Sequence, residues 1–306
     1  MSIVMADTIP EALAGKRIAV TGSTGFVGTA LTERLLRSVP DCELILLVRD
    51  GKRTPAARRT QREILKNDAF DRLRELHGDE FDERVASRVS TVAGDVTVDG
   101  LGLDEADRAL WGTADIIIHS AAAVSFDSPL DSAVEINLLG PTRLANLANE
   151  MAVAPHLVAV STCYVAGNRR GNAPELLVSD GPFDIGIDWR SEVTSTRRLR
   201  SDLDAASRRP DQLVRFRKEA RAELGAAGAP ALAAKTEDLR RKWVKSELVA
   251  AGRARAASVG WPDAYAFTKA LGEQALTDVK GDVPVSIVRP SIIESALAEP
   301  KPGWIR

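Results

Sequence analysis

The chain has 306 residues, 44% apolar and 27% charged, with a net charge of -2, and this ordinary balance excludes nucleic-acid or membrane binding driven by global charge. Two cysteines, Cys42 and Cys163, exclude a disulfide scaffold and fit a reducing compartment, while His77, His119 and His156 show no ligand spacing, so no metal site is expected. No stretch reaches the roughly 18 apolar residues of a spanning helix, and the first residues lack a basic start followed by a long apolar run, so a cytoplasmic protein is expected.

Arg17 to Thr21 is a short apolar run ending in a glycine-rich turn, and Phe26 to Arg37 continues at helical spacing through Val27, Leu31, Leu35 and Leu36. Glu43 to Val48 is nearly all apolar, as a strand covered on both faces must be, and Val89 to Ala93 and Asp115 to Ile118 repeat the signal. Residues 51 to 88 form a charged helical connection, and Asp104 to Leu110 a connecting helix. Leu130 to Met151 reads as a helix, His156 to Val160 as a strand, Ala264 to Val279 as a helix and Val283 to Val288 as a strand. Alternating strands and helices predict an α/β fold with a doubly wound parallel sheet, the Rossmann arrangement, as one domain over 1–306.

One long excursion, from about 168 to 262, interrupts this rhythm, with a helical insertion over about 185–258. Leu213, Phe216, Ala220 and Leu224 share one helical face, and Leu239, Trp243, Val244 and Leu248 another, with a glycine and proline break at Gly225–Pro230 between them. From 197 to 255 the insertion carries 16 Lys/Arg against 8 Asp/Glu, led by Arg197, Arg198, Arg200, Arg208 and Arg209 and followed by Arg240, Arg241 and Lys242. A solvated helix face explains such a patch, as does contact with coenzyme A phosphates, an acidic carrier protein or an anionic membrane surface.

The turn Thr21-Gly22-Ser23-Thr24-Gly25-Phe26-Val27-Gly28 sets three glycines at three-residue spacing where the first strand meets the first helix. The first glycine permits the tight turn, the second lets backbone approach a pyrophosphate, and the third allows close helix–strand packing, so Gly22, Thr24, Gly25, Phe26, Val27 and Gly28 are expected to bind a dinucleotide. Where NAD-selective folds carry an acid after the second strand, this chain has Arg49, with Arg53 close by, and a guanidinium suits the 2′-phosphate of NADP(H); Asp50 argues the other way. Asp95, followed by Val96, is placed to bond the adenine amino group, with an aspartate turn cap as its plainer reading. Ala121 and Ala122 follow the fourth strand and let backbone approach the cofactor, while His119 fits a packed strand end better than a catalytic base.

Tyr265 and Lys269 stand at i and i+4, on one helical face, where an ammonium favours phenolate and makes the tyrosine a usable acid or base. Ser161-Thr162-Cys163 follows the fifth strand at the same sheet edge, and its hydroxyls are candidates to hold a substrate carbonyl or to be ordinary turn residues. Cys163 reads as a buried inert thiol in preference to a nucleophile.

Together the glycine turn, Asp95, Ser161-Thr162, Tyr265 and Lys269 resemble the extended short-chain dehydrogenase/reductase family over nearly the whole chain. Within it, Leu47-Val48-Arg49, Ser161 to Val165, and Val288 to Glu294 running on to Glu299-Pro300-Lys301-Pro302-Gly303-Trp304-Ile305 resemble the fatty acyl-CoA reductases. The resemblance implies Thr162 as the catalytic Ser/Thr with Ser161 as fallback, Tyr265 as proton donor, and Lys269 as the group that lowers the tyrosine pKa and binds the nicotinamide ribose. It also implies Val96, Asn137, Pro290 and Ile292 as cofactor neighbours. The implied reaction is NADPH-dependent reduction of an acyl-CoA or acyl carrier protein thioester, without metal, to aldehyde or on to alcohol. It further implies a substrate-binding region beyond Arg306 in the full protein; the charge count of the basic insertion, and not the resemblance, is what admits peripheral membrane contact for a cytoplasmic protein. Terminal reductase domains of carboxylic acid reductases and peptide synthetases, and nucleotide-sugar epimerases and dehydratases, are the alternatives of the same fold. A non-catalytic NADP(H) sensor is the alternative outside enzymes.

Overall fold

In the computed structural model, residues 8–181, 186–225 and 228–305 are described. Six parallel strands form one sheet in the order β3-β2-β1-β4-β5-β6: β1 is Arg17–Thr21, β2 Glu43–Val48, β3 Val89–Ala93, β4 Ile116–His119, β5 His156–Val160 and β6 Val285–Val288. This is the doubly wound order, with its reversal between β1 and β4, the point at which such sheets open a crevice at their carboxyl ends.

β1 and β2 are buried from their second residue onward, which is why they read as continuous apolar runs. Side chains alternate between faces, and Ile18, Val20, Leu44, Leu46 and Val48 enter one core with Leu35 and Leu36 of the helix Phe26–Ser38 and with Ile64, Leu65, Phe70 and Leu73. The 51–88 connection is a chain of short helical turns, the longest Asp71–His77, in place of one helix. β4 starts one residue later than the sequence suggested, because the Asp115 carboxylate accepts the Arg17 N–H at 2.9 Å and caps the strand's entry. β6 starts at Val285, since the N–H of Val283 closes a turn onto the Lys280 carbonyl at 3.0 Å. The helix Glu105–Trp111 is capped by the Asp104 carboxylate, which accepts from Asp107 N at 2.8 Å.

Contacts divide the chain into two compact units. The first takes the residues up to Ala122, Leu139–Cys163 and the chain from Ala275, and contains the whole sheet. The second takes Ala123–Leu138 and Tyr164–Gln274. Three helices dominate it, Trp189–Ser207, Pro210–Leu224 and Ala229–Ser258. Phe216, Ala220, Val244 and Leu248 are buried there as the periodicity predicts, whereas Leu213 is exposed and Leu224 only half-buried. The expected start of the insertion near 185 and part of its break, 226–227, lie outside the described residues. The predicted helix Leu130–Met151 is interrupted: a helical turn Leu130–Ala133 passes into a π turn Val134–Leu138 before Leu139–Asn149. Pro141, four residues after Asn137, lacks the N–H that a regular helix returns to it.

Candidate functional site

The glycine turn lies in the first unit. Gly22 has φ +76, and a Cβ there would stand 2.5 Å from the Ala121 N, so both backbone conformation and packing require glycine. A Cβ on Gly28 would meet Gly22 C at 2.7 Å and Ser23 Cα at 2.8 Å, so the third glycine lets the helix seat on the turn itself. Gly25 differs: its φ is -87, it is exposed, and an added Cβ would meet only the Gly22 carbonyl oxygen, at 3.1 Å. That single contact is tight but milder than those at Gly22 and Gly28, and the open side leaves room for an anion against the N–H groups of Phe26, Val27 and Gly28, which a helix N-terminus leaves unbonded. The buried Ser23 hydroxyl in the same turn has no hydrogen-bond partner among the described residues. An exposed glycine N-cap over such a turn fits a pyrophosphate.

The β4 end is held to this turn. Thr21 Oγ1 and His119 Nδ1 are 2.8 Å apart, Ser120 donates its hydroxyl to the Thr21 carbonyl at 2.8 Å, and Ala121 N donates to Thr21 Oγ1 at 3.3 Å. His119 is a packed strand-end residue, and Ala121 and Ala122 are half-buried beside the turn's strand.

Beyond β2 and β3 a cavity of about 610 Å³ is lined by Arg49, Asp50, Arg59, Gly94 and Asp95 among others. Arg49 stands 3.7 Å from Asp95, whose other oxygen accepts from Thr97 N and Oγ1 at 2.9 and 2.8 Å. Asp50 accepts the Ala56 N–H at 2.7 Å and so caps the next helical turn. Arg59 was not singled out by the sequence. It donates from Nη1 to the Arg49 carbonyl at 2.7 Å and from Nε and Nη2 to the two Glu63 oxygens, which raises its pKa. Arg53 is exposed and outside the cavity's lining, and Val96 is buried with its carbonyl accepting from Arg143.

At the β5 end, Ser161 N donates to Val288 O at 2.7 Å and Cys163 N to Pro290 O at 2.9 Å, so the chain after β6 extends the ladder. Ser161 and Thr162 are both buried, and the Ser161 hydroxyl has no hydrogen-bond partner among the described residues. Cys163 is exposed, contrary to the expectation of a buried thiol, because it opens the 3-10 turn Cys163–Ala166 outside the strand. Pro290 is half-buried and Ile292 exposed.

Tyr265 and Lys269 belong to the second unit, on the helix Ala264–Val279. Lys269 is 6% exposed, and burial pulls its pKa down to about 8 against the opposing pull of Glu273 one turn on. Tyr265 is half-buried, its ring edge-on to Phe126 at 6.0 Å; Phe126 meets Tyr164 in the same way at 6.5 Å. Asn137 is 2% exposed, and its amide is spent inside the protein: Oδ1 accepts from Ala123 N at 2.8 Å, and Nδ2 donates to Ala123 O at 3.1 Å and to Thr268 Oγ1 at 3.2 Å. It ties the loop after β4 to the tyrosine helix. A Cβ on Gly272 would overlap the Asn137 carbonyl oxygen, so glycine permits this approach.

Most of the insertion's basic side chains are paired, some of them with acids outside it. Arg240 is buried between Glu237 and Asp204, each at 2.8 Å or less; Arg241 pairs with Glu237, Lys242 with Asp238, Arg197 with Glu135, Arg200 with Asp131 and Arg208 with Asp204. Arg240 pulls the Glu237 carboxyl down to about 2. Exposed cations without an acidic partner among the described residues collect instead on Pro210–Leu224, where Arg217, Lys218 and Arg221 share a face with Val214, itself 68% exposed. No described helix is long and apolar enough to cross a membrane, and no group of metal-ligating side chains occurs among the described residues.

A family model described as male sterility protein matches residues 20–306. The chain is 35% identical to the chloroplastic fatty acyl-CoA reductase 2 of Arabidopsis thaliana over 96% of its own length and 44% of the relative's. It is 34% identical to the alcohol-forming fatty acyl-CoA reductase of Simmondsia chinensis over 97% and 55%. The chain thus spans about half the length of the curated relatives it matches. Among solved structures, the terminal R domain from the myxalamid PKS-NRPS biosynthetic pathway aligns with a TM-score of 0.51 at 22% identity, covering 92% of this chain and 50% of that one, a likeness of fold.

Proposed function

The chain belongs to the male sterility protein family of NAD-binding domains, and from that membership we propose that it reduces a fatty acyl thioester, carried on coenzyme A or an acyl carrier protein, to the aldehyde and onward to the alcohol. The observation that carries the reading is Lys269. An ammonium removed from water is costly, yet this one is buried one helical turn from a half-buried tyrosine, in the Tyr-x-x-x-Lys spacing of the reductases the sequence resembles. Burial draws the Lys269 pKa down to about 8, which suits an ammonium that works beside a proton donor.

A nicotinamide dinucleotide, when bound, supplies the hydride. Phe26, Val27 and Gly28 hold its pyrophosphate through their backbone N–H groups, and Asp95 takes the adenine end. Thr162 orients the thioester carbonyl by donating a hydrogen bond, and Ser161 is the fallback for that role. Tyr265 gives the carbonyl oxygen its proton, and Lys269 favours the phenolate that remains. Collapse of the resulting hemithioacetal releases the thiol and leaves the aldehyde; a second hydride from a second reduced dinucleotide, with a second proton from Tyr265, would carry the aldehyde on to the alcohol.

We read the cofactor as NADPH. Arg49 and Arg59 line the cavity after β2, and Asp50, the acid that would take a free ribose hydroxyl, is engaged in capping Ala56. The Val214–Arg221 face is the proposed contact for an anionic membrane surface, replacing the Arg240-Arg241-Lys242 cluster in that role.

The test is turnover of acyl-CoA with NADPH by wild type and Tyr265→Phe. Loss of aldehyde and alcohol by a factor of about 10² or more, with NADPH affinity retained, is expected; unchanged turnover removes Tyr265 from the chemistry.

A further inference from the structure

The segment Glu299–Trp304 carries charge and an aromatic ring that the proposed chemistry does not use. Trp304 is buried and stacked on Phe26, with ring centroids 5.0 Å apart and planes 19° from parallel. Phe26 is the first residue of the helix Phe26–Ser38, next to its N-cap Gly25. The indole is fixed from its other side, where Nε1 donates to Asp68 Oδ1 at 2.8 Å. Lys301 adds contacts to Asp68 at 3.0 Å and Asp71 at 3.2 Å. Two backbone bonds close the segment into a loop, Ala296 N to Trp304 O and Gly303 N to Ala296 O, both at 2.8 Å.

The same loop reaches the far end of that helix. Glu299 pairs with Arg34 and, at 3.0 Å, with Arg37, and stands 3.5 Å from Arg72. One short segment therefore grips the helix at its first residue through an aromatic stack and in its last two turns through a carboxylate. Two points fix the direction of an axis where one point does not. The N–H groups of Phe26, Val27 and Gly28 lie along that axis, and hydrogen bonds to an anion weaken steeply when their angle is lost.

We propose that Glu299–Trp304 is a clasp that positions the N-terminus of the helix Phe26–Ser38 for dinucleotide binding, with Trp304 as its positioning residue acting through Phe26. This rests on the dinucleotide reading of the Gly22–Gly28 turn. The clasp touches neither the proposed proton donor nor the carbonyl, so its loss acts on cofactor affinity and leaves the KM for the thioester in place.

The test titrates NADPH into wild type, Trp304→Leu, Trp304→Phe and Glu299→Gln, alongside the melting temperature of each cofactor-free protein. Trp304→Leu keeps an apolar filling without the stack and should raise the Kd for NADPH about tenfold, the scale of one lost ring interaction. Trp304→Phe restores a flat ring and should return the Kd to within about twofold of wild type, since the stack and not the indole N–H carries the effect. Glu299→Gln, a surface change that leaves the core intact, should raise it about threefold, the scale of an exposed ion pair; it decides the matter alone if Trp304→Leu fails to fold. A lowered melting temperature with unchanged Kd would show a purely structural clasp and overturn the proposal. Failure of the wild type to bind NADPH or NADH would overturn the dinucleotide reading and the clasp together, whereas wild-type binding with unchanged Kd in the variants overturns the clasp alone.

Discussion

Gly25→Ala separates what the glycine turn does for the fold from what it does for a ligand. The new methyl meets one protein atom, the Gly22 carbonyl oxygen at 3.1 Å, and φ -87 suits alanine. Alanine is a poorer N-cap than glycine, but it also lowers the entropy of the unfolded chain, and these effects, each about 0.5–1 kcal/mol, oppose one another. Provided the Gly22 carbonyl gives by a few tenths of an ångström, stability should stay within about 1 kcal/mol, or a melting shift of a few degrees. Binding should respond differently, because the methyl occupies the exposed side of the turn where a phosphate must come within hydrogen-bond reach of the N–H groups. Loss of one charge-assisted bond of about 1.5–3 kcal/mol weakens NADPH binding roughly ten- to a hundredfold. Titration of NADPH by fluorescence, beside a thermal melt, reads both quantities. Gly22→Ala and Gly28→Ala serve as controls: their Cβ atoms strike backbone, and each should cost about 1–3 kcal/mol of stability. Wild-type affinity in Gly25→Ala would refute the placing of a pyrophosphate at this turn.

Lys269→Met should abolish turnover yet raise the melting temperature at pH 7. With a folded pKa of about 8 against the ordinary lysine value of 10.5, burying the charge costs about 3 kcal/mol below pH 8. That cost is relieved as pH rises from about 8 to 10.5, where the unfolded chain holds the proton and the folded one has released it. The difference in stability between variant and wild type should shrink across that window, and a constant difference would show that Lys269 is not buried charged. Arg49→Ala should lower kcat/KM with NADPH by about tenfold or more while sparing NADH, as loss of a charged contact to a 2′-phosphate requires; equal losses with both would remove Arg49 from phosphate recognition. Reversing Arg217, Lys218 and Arg221 to glutamate should abolish sedimentation with phosphatidylserine vesicles, each cation contributing about 1 kcal/mol near such a surface, while reversing Arg241 and Lys242 should not. Identical sedimentation of the two variants would leave the Val214 face without that role.

β1 and β2 were readable because they are buried on both faces: Arg17–Thr21 and Glu43–Val48 begin and end where their apolar runs do, and the less buried Val89–Ala93 and His156–Val160 keep the bounds the sequence predicts. The roles of Gly22 and Gly28 followed from their place between strand and helix, as did the one-turn spacing of Tyr265 and Lys269. What escaped depends on contacts distant in sequence or on local charge pairing. Trp189–Ser207 buries mainly Val193, Thr196, Ser207 and Glu192, too polar a stripe for apolar periodicity to detect, although the Asp188 N-cap was a usable signal. Arg240 is buried because it bonds Asp204, 36 positions away, as well as Glu237 one turn before it; the near pair was visible in the sequence and the distant one was not. Arg59 reaches the cavity only because short helical turns follow β2, and the Asn137 amide bonds Thr268, 131 positions away.

β5 and β6 pair along their length, Leu157 opposite Val285, although about 130 residues separate them. On a ribosome the sixth strand emerges long after its neighbour, so the sheet waits, one edge open, while everything between is synthesised. Closing a loop of that length costs about 4 kcal/mol of chain entropy if the loop is slack. The three insertion helices make mostly local contacts of the kind that form fastest. Helices that form before the last strand is made would remove much of that slack, so the length inserted before that strand would delay sheet completion less than residue count alone implies.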